Sequence, residues 1–170
     1  MKNLKKTLTT VIERALVISS YSFAFVDISA SFAIKVFLNS DTKILKYFYI
    51  NYIAKINNFY IENVYFIFAL MLGIFIVCSR GTIPATKYVR FNVIQAILLN
   101  IVCSCISSIY PLLPVEIRES SIGLIIANFF YIGVVALIIY SSILICCGRY
   151  PRIPVLSEAA RLQVQRGYLD

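Results

Sequence analysis

The sequence contains no histidine and no tryptophan. Without histidine it lacks the one side chain that titrates near neutral pH unperturbed, and with it the commonest general base and metal ligand. Its five cysteines, Cys78, Cys103, Cys105, Cys146 and Cys147, include no C-x-x-C pair, so no zinc or haem motif is supported. Cys103 and Cys105 point about 200° apart on a helix, and Cys146 and Cys147 are sequence neighbours, so neither pair suits an intrahelical disulfide. They read as small apolar fillers. No nucleophile has an adjacent base, so the expectation is a protein that is not an enzyme and takes no cofactor or metal. Acidic residues are also scarce, eight against sixteen basic ones, for a net charge of +8.

Such an excess of base can mean nucleic acid, an anionic lipid surface or membrane-topology signals. The bases flank apolar runs instead of forming one patch, which favours topology and no nucleic-acid partner. At 60% hydrophobic residues and a mean hydropathy of +0.83, the chain is far more apolar than a soluble domain, which averages about 45 to 50%. It reads as a single polytopic membrane domain over residues 1–170, with no internal repeat and no low-complexity tract. Its first apolar segment begins within about a dozen residues of Met1, which leaves no room for a long organellar transit peptide. Asp27 within that segment, and the spans after it, disfavour a cleaved secretory signal. Heavy use of Ile, Lys, Asn, Phe and Tyr matches an AT-rich genome such as an organellar one.

Four spans are expected, at about 15–34, 63–79, 91–110 and 121–147. The first has Asp27 as its only charge and fits a hydrocarbon core of about 30 Å at about 1.5 Å per residue. Ser20, Ala24, Asp27 and Ser31 form a stripe of small residues along it, suited to close helix contact. A carboxylate at this depth costs about 2.5 to 3.5 kcal/mol on insertion scales, so Asp27 faces protein or water, either as an ion, proton or substrate contact or as a structural acceptor for the amides of the third span. Between the first two spans, Leu45, Phe48, Tyr49, Tyr52, Ile53, Ile56 and Tyr60 follow helical spacing while Lys46 and Lys55 break the apolar run. That pattern reads as an interfacial amphipathic helix, its apolar face sunk in lipid or docked on a partner. Ala69 and Gly73 offer a small-residue step in the second span. Pro111 and Pro114 close the third.

The third span carries the most polar cargo. On helical geometry Asn92, Gln95, Ala96, Leu99, Asn100, Cys103 and Ser107 share one side, with Ile94, Ile101 and Ile109 roughly opposite as the expected lipid side. Amides turned to hydrocarbon would each cost several kcal/mol, so they either bond helices together or line a path. In the fourth span Ser121, Asn128, Tyr131, Val135 and Ser142 share a face. After Gly148 the segment Arg149–Pro154 reads as extended, and Ser157 followed by Glu158 as the N-cap and first acid of a short surface helix to about Arg166. The fold class expected is therefore all-α, a four-helix transmembrane bundle with an amphipathic interfacial helix after the first span and a short C-terminal surface helix.

The run Tyr88-Val89-Arg90-Phe91-Asn92-x-x-Gln95-Ala96-Ile97-Leu98-Leu99 resembles the signature of the Tic-twenty family, called Ycf-sixty when plastid-encoded, four-helix subunits of the chloroplast inner-envelope import translocon. The later block around Pro151, Pro154, Ser157 and Glu158 is similar to that family's segment after its last helix. One departure is Asn100, where the family pattern favours an acid. The resemblance implies a membrane subunit that helps conduct precursor proteins, in contact with other translocon subunits, precursors in transit, the lipid bilayer and, through self-association, a homo-oligomer. It also implies the plastid inner envelope as location. The candidate path or helix-interface residues are Asp27, Asn92, Gln95, Asn100, Ser107 and Asn128. Two other classes fit the residues: a small proton- or cation-coupled transporter using Asp27, and an assembly scaffold.

Eleven of the sixteen bases lie at the N-terminus (Lys2, Lys5, Lys6, Arg14), in the second loop (Arg80, Lys87, Arg90) and in the tail (Arg149, Arg152, Arg161, Arg166). The other side has Lys35, Lys43, Lys46, Lys55 and Arg118. The positive-inside rule then puts both termini on the cytoplasm-equivalent side, the stroma in a plastid. Tags at either end are expected to resist protease added from the intermembrane side; their cleavage from that side reverses the orientation.

Overall fold

Long apolar runs in a bilayer must satisfy their own backbone hydrogen bonds, and here they do so as helices, with no strand among the described residues. The computed structural model describes residues 2–39, 42–81 and 85–166, and the side chains of 11–39, 42–81 and 85–165. The first helix, α1, comprises Lys2–Ser20 and continues past Tyr21 through Ser22–Ile28, a π turn at Ser29–Ala33 and Ile34–Leu38. Then come α2 (Lys43–Glu62, with a π turn at Tyr49–Ile53), α3 (Val64–Arg80), α4 (Lys87–Ile109), α5 (Ser121–Cys146) and α6 (Leu156–Arg166). A single turn at Val115–Arg118 lies between α4 and α5.

The protein is an all-α transmembrane bundle. Val11–Leu38, Lys87–Leu112 and Ser121–Cys146 are each long and apolar enough to cross a membrane. A fourth crossing results when α2 and α3, bent by 79°, count as one broken span. The expected 63–79 span is α3, whose 17 residues rise about 26 Å, short of a hydrocarbon core of about 30 Å. The bend falls at Asn63, which leaves the helical region at φ −114° and ψ 19° while its side-chain amide donates to the Phe59 carbonyl at 2.9 Å. Residues 82–84, part of the turn expected to end this span, lie outside the described residues.

At the centre is α4, buried without interruption from Val89 to Ile97. It packs against α1, α3 and α6. From α1, the stripe members Ser20, Ala24 and Asp27 are buried and Ser31 is half-buried, as a small-residue contact face requires. Ile94 is fully buried, so the N-terminal half of α4 has no lipid side, contrary to the sequence expectation. The reason is that α6 folds back over α4 and α3, where the Ser79 hydroxyl donates to Gln163 Oε1 at 3.4 Å.

Three further expectations are corrected. The buried face of α2 is Tyr49, Ile53, Asn57 and Tyr60, while Leu45, Phe48, Tyr52 and Ile56 from the same expected apolar face are exposed. Its buried residues meet α1, and Asn57 Nδ2 donates to the Ser29 carbonyl at 3.1 Å, in the π turn whose wider coil shifts the backbone pairing. On α5 the buried face is Gly123, Ala127, Tyr131, Val134, Ser141 and Ile145, rotated by about 80° from the one expected, so Asn128 and Ser142 sit half-buried at its margin and Ser121 is exposed. Ser157 is no N-cap: α6 starts at Leu156, and the Ser157 hydroxyl turns back to accept from the Ile153 amide at 2.7 Å and donate to the Pro151 carbonyl at 3.3 Å. Glu158 does occupy the first turn.

Basic side chains close the helix ends. Arg90, 3% exposed, donates from Nε to the Cys78 carbonyl at 2.6 Å and from Nη2 to the Ser79 carbonyl at 2.8 Å. These are carbonyls at the end of α3 that have no partner within the helix. Gly81 ends α3 with φ 71°, and a Cβ there would lie 2.9 Å from Arg90 Nη1. We expect Arg90→Leu to cost about 2 to 3 kcal/mol of stability and Arg90→Lys to recover only part of it, because an ammonium cannot fork across two carbonyls. Thermal unfolding in mild detergent measures both, and a lysine variant as stable as the parent contradicts the forked cap.

Candidate functional site

A carboxylate inside a membrane helix has to find donors in the protein. Asp27 is 7% exposed, and the Ser104 hydroxyl of α4 donates to its Oδ2 at 2.5 Å. The Tyr60 hydroxyl of α2 and Cys103 lie beside the same carboxylate. The acid therefore ties α1 to α4 beside α2, and no ion pair to it occurs among the described residues. Neither Ser104 nor Tyr60 stands out in the sequence as a neighbour of Asp27. Ser104 follows Asn100 by one helical turn at the flank of the polar side, a signal available from spacing alone; Tyr60 was placed only on an apolar face.

The polar side of α4 divides into two regions. Asn92 and Gln95 are fully buried in the bundle core. Asn92 Nδ2 donates to the Tyr88 carbonyl of its own helix at 2.8 Å, and the Gln95 amide has no hydrogen-bond partner among the described residues. The amides thus do not serve Asp27. Ser107 is half-buried with its hydroxyl likewise unpartnered, and Ala96 is fully buried.

The second region opens into a groove of about 500 Å³ between α3 and α4. Phe68, Met71, Leu72 and Phe75 form its α3 wall, and Ile97, Asn100, Ile101, Ser104, Cys105, Ser108 and Ile109 its α4 wall. Ile101 and Ile109, expected on the lipid side, line this groove. Its polar atoms are few: Asn100 Nδ2 reaches Met71 Sδ at 3.5 Å while Oδ1 is buried without a partner, and the Ser108 hydroxyl donates to the Ser104 carbonyl at 2.8 Å. Ser104 therefore faces the groove while its hydroxyl holds Asp27. Asn128, on α5, does not line the groove.

The two sequence blocks that carry the family resemblance meet in space. The Tyr150 ring packs edge-on against Tyr88 at 5.1 Å and Phe91 at 5.2 Å between centroids, and the Tyr88 hydroxyl donates to the Ile145 carbonyl at 3.3 Å. Pro151 is buried beneath this cluster, whereas Pro154 and Glu158 are exposed.

Residues 10–160 match the family model described as chloroplast import apparatus Tic20-like. The chain belongs to the Tic20 family. Among curated relatives, a Tic20 family protein Ycf60 of Pyropia yezoensis is 39% identical over 93 residues, 55% of this chain and 45% of that protein. One from Cyanidium caldarium is 31% identical over 119 residues, 70% of this chain and 58% of that protein. A Tic20 family protein of Synechocystis is 29% identical over 109 residues, 63% of this chain and 67% of that protein. The chain spans about half the length of the Ycf60 relatives it matches. No solved structure matches.

Because Asp27 is held as an acceptor, Asp27→Asn, which keeps an oxygen for the Ser104 hydroxyl, is expected to assemble better than Asp27→Leu, which leaves that hydroxyl unpaired at a cost of about 1 to 3 kcal/mol. Detergent size-exclusion profiles and unfolding temperatures of the two variants check this. Equal loss of function in both with normal assembly assigns the role to the charge itself.

Proposed function

We propose that this chain is a membrane subunit of the protein-import translocon of the plastid inner envelope and that the groove between α3 and α4 receives an apolar segment of a precursor in transit. Family membership supports the translocon, and the groove carries the second half of the reading. It is open to the side of the bundle, walled by Phe68, Leu72, Phe75 and Ile101, and has an unpartnered buried amide oxygen on Asn100 at its floor. A segment with mostly apolar side chains and a few backbone or side-chain donors matches that chemistry. The chain does so without catalysis.

A packed bundle of this size does not enclose an aqueous channel for a polypeptide. The proposed path is therefore shared with other translocon subunits or with further copies of this chain. Both termini face the stroma in this reading, in keeping with the eleven bases on that side. A second reading, a proton- or cation-coupled transporter, is favoured by one observation: Asp27 is buried in a spanning helix with its donor Ser104 on the groove. Uptake that vanishes in Asp27→Asn while assembly is intact selects it.

With a photo-crosslinking residue at Leu72, Ser104 or Ser108, an arrested precursor is expected to form adducts several-fold more often than with the same residue at Ile132 or Ile139, exposed positions on α5 away from the groove. Adducts to other translocon subunits alone, with a precursor shown to be crossing, reduce the protein to a scaffold.

A further inference from the structure

The contact between the two sequence blocks leaves a second cavity, of about 410 Å³, bounded by the start of α4, the segment after α5 and the face of α6. Among the described residues its lining includes Lys87, Arg152 and Arg161 and no acidic residue. Arg152 and Arg161 are exposed, and neither is in an ion pair among the described residues. Glu158, one turn before Arg161, is the acid in the first turn of α6 and lies outside the lining. The walls are apolar and aromatic: Phe91, Tyr150, Pro151 and Val164. The 23-residue helix α4 begins at Lys87, so the positive end of its dipole adds to the three cations.

We propose that this pocket binds the anionic headgroup of a membrane lipid. Arginine presents a planar fork of donors to phosphate or sulfonate oxygens, and the forks of Arg152 and Arg161 converge on one cavity with no carboxylate among its described lining residues. The place is right for a lipid and wrong for a solute caught from bulk water. Lys87 and Tyr88 stand where α4 enters the membrane, and the rings of Phe91 and Tyr150 give the glycerol region and first methylenes an apolar wall. Basic pockets beside the ends of transmembrane helices recognise acidic headgroups on this pattern. A bound lipid would also bridge α4 to the segment that carries α6 across it, stabilising the fold-back that buries Ile94. The inference stands apart from the import reading, since it concerns a different cavity and no cargo.

The test uses the full chain in nanodiscs of phosphatidylcholine with and without phosphatidylglycerol, read by thermal unfolding, and in detergent with short-chain phosphatidylglycerol as titrant. The acidic lipid is expected to raise the unfolding temperature above that in phosphatidylcholine. The paired substitution Arg152→Gln with Arg161→Gln is expected to weaken its binding by about 30-fold, while Lys43→Gln with Lys55→Gln, outside the pocket, leaves it unchanged. Equal stabilisation by both lipids, or an undiminished effect in the arginine variant, overturns the proposal. So does inorganic phosphate that stabilises alone as well as the lipid and displaces it, which would make this a soluble-anion site. If the glutamine variant does not fold, native mass spectrometry of the parent decides: a retained acidic phospholipid or sulfolipid supports the site, and neutral lipids alone overturn it.

Discussion

The contact between α1 and α4 is the constraint from which the remaining packing follows. Two membrane helices gain no hydrophobic driving force from leaving lipid for each other, so they need close backbone approach and hydrogen bonds. Ser20 and Ala24 permit the approach, and Asp27 with Ser104 provides the bond. A carboxylate is a costly way to make that bond, since it must be desolvated and then satisfied. α2 joins the same contact through Asn57, whose amide donates to the Ser29 carbonyl in the π turn, with Tyr60 buried beside Asp27.

Charges near the ends of the spans serve the same bundle in another way. Arg14 donates to the Cys146 carbonyl at the end of α5 at 2.8 Å, Arg90 to carbonyls at the end of α3, and Lys35 to the Arg118 carbonyl at 2.5 Å and to Glu119 at 3.0 Å. In each case a cation meets carbonyls at the C-terminus of another helical segment, where the macrodipole is negative and backbone acceptors lack partners. Bases that read in the sequence as topology signals thus also fasten one helix to the next. Arg14 and Arg90 act at one end of the bundle and Lys35 at the other, the same division that separates the eleven bases from the five.

The spans were legible because charge-free apolar length is a direct demand of the bilayer, and Pro111, Pro114 and Gly148 marked helix ends by their backbone chemistry. Rotation about each helix axis was harder to read. Tyrosine and isoleucine suit lipid, headgroup and protein alike, so periodicity on α2 could not distinguish the face of Tyr49, Ile53 and Tyr60 from that of Phe48, Tyr52 and Ile56. The faces of α4 were misread for a different reason: Asn92 and Gln95 do face protein, but α6 returns over the helix and buries Ile94 as well. That return depends on the Ser157 hydroxyl turning back to residues 151 and 153, and Ser157 in the sequence looked like an ordinary N-cap. The two resemblance blocks were each visible, yet nothing in their spacing revealed that Tyr150 closes on Tyr88 and Phe91.

The division of α4 lengthwise bears on the proposed part of so small a protein in translocation. Its first half, from Val89 to Ala96, is enclosed by α1, α3 and α6 and lies outside the groove. Its second half presents Asn100, Ser104 and Ser108 to an open groove whose far wall, α3, is the least buried of the long helices, with only Met71 and Cys78 fully covered. A helix that short and that exposed, joined to α2 through a 79° bend, is held to α4 chiefly at its C-terminal end, where Arg90 caps the Cys78 and Ser79 carbonyls. Widening the groove by tilting α3 would break the weak Asn100–Met71 contact and leave the Asp27–Ser104 bond intact, because that bond belongs to α1 and α4. The fold therefore separates a core fastened through the carboxylate from a sparsely buried groove wall, and in the proposed reading a guest segment beside Asn100 would meet that wall.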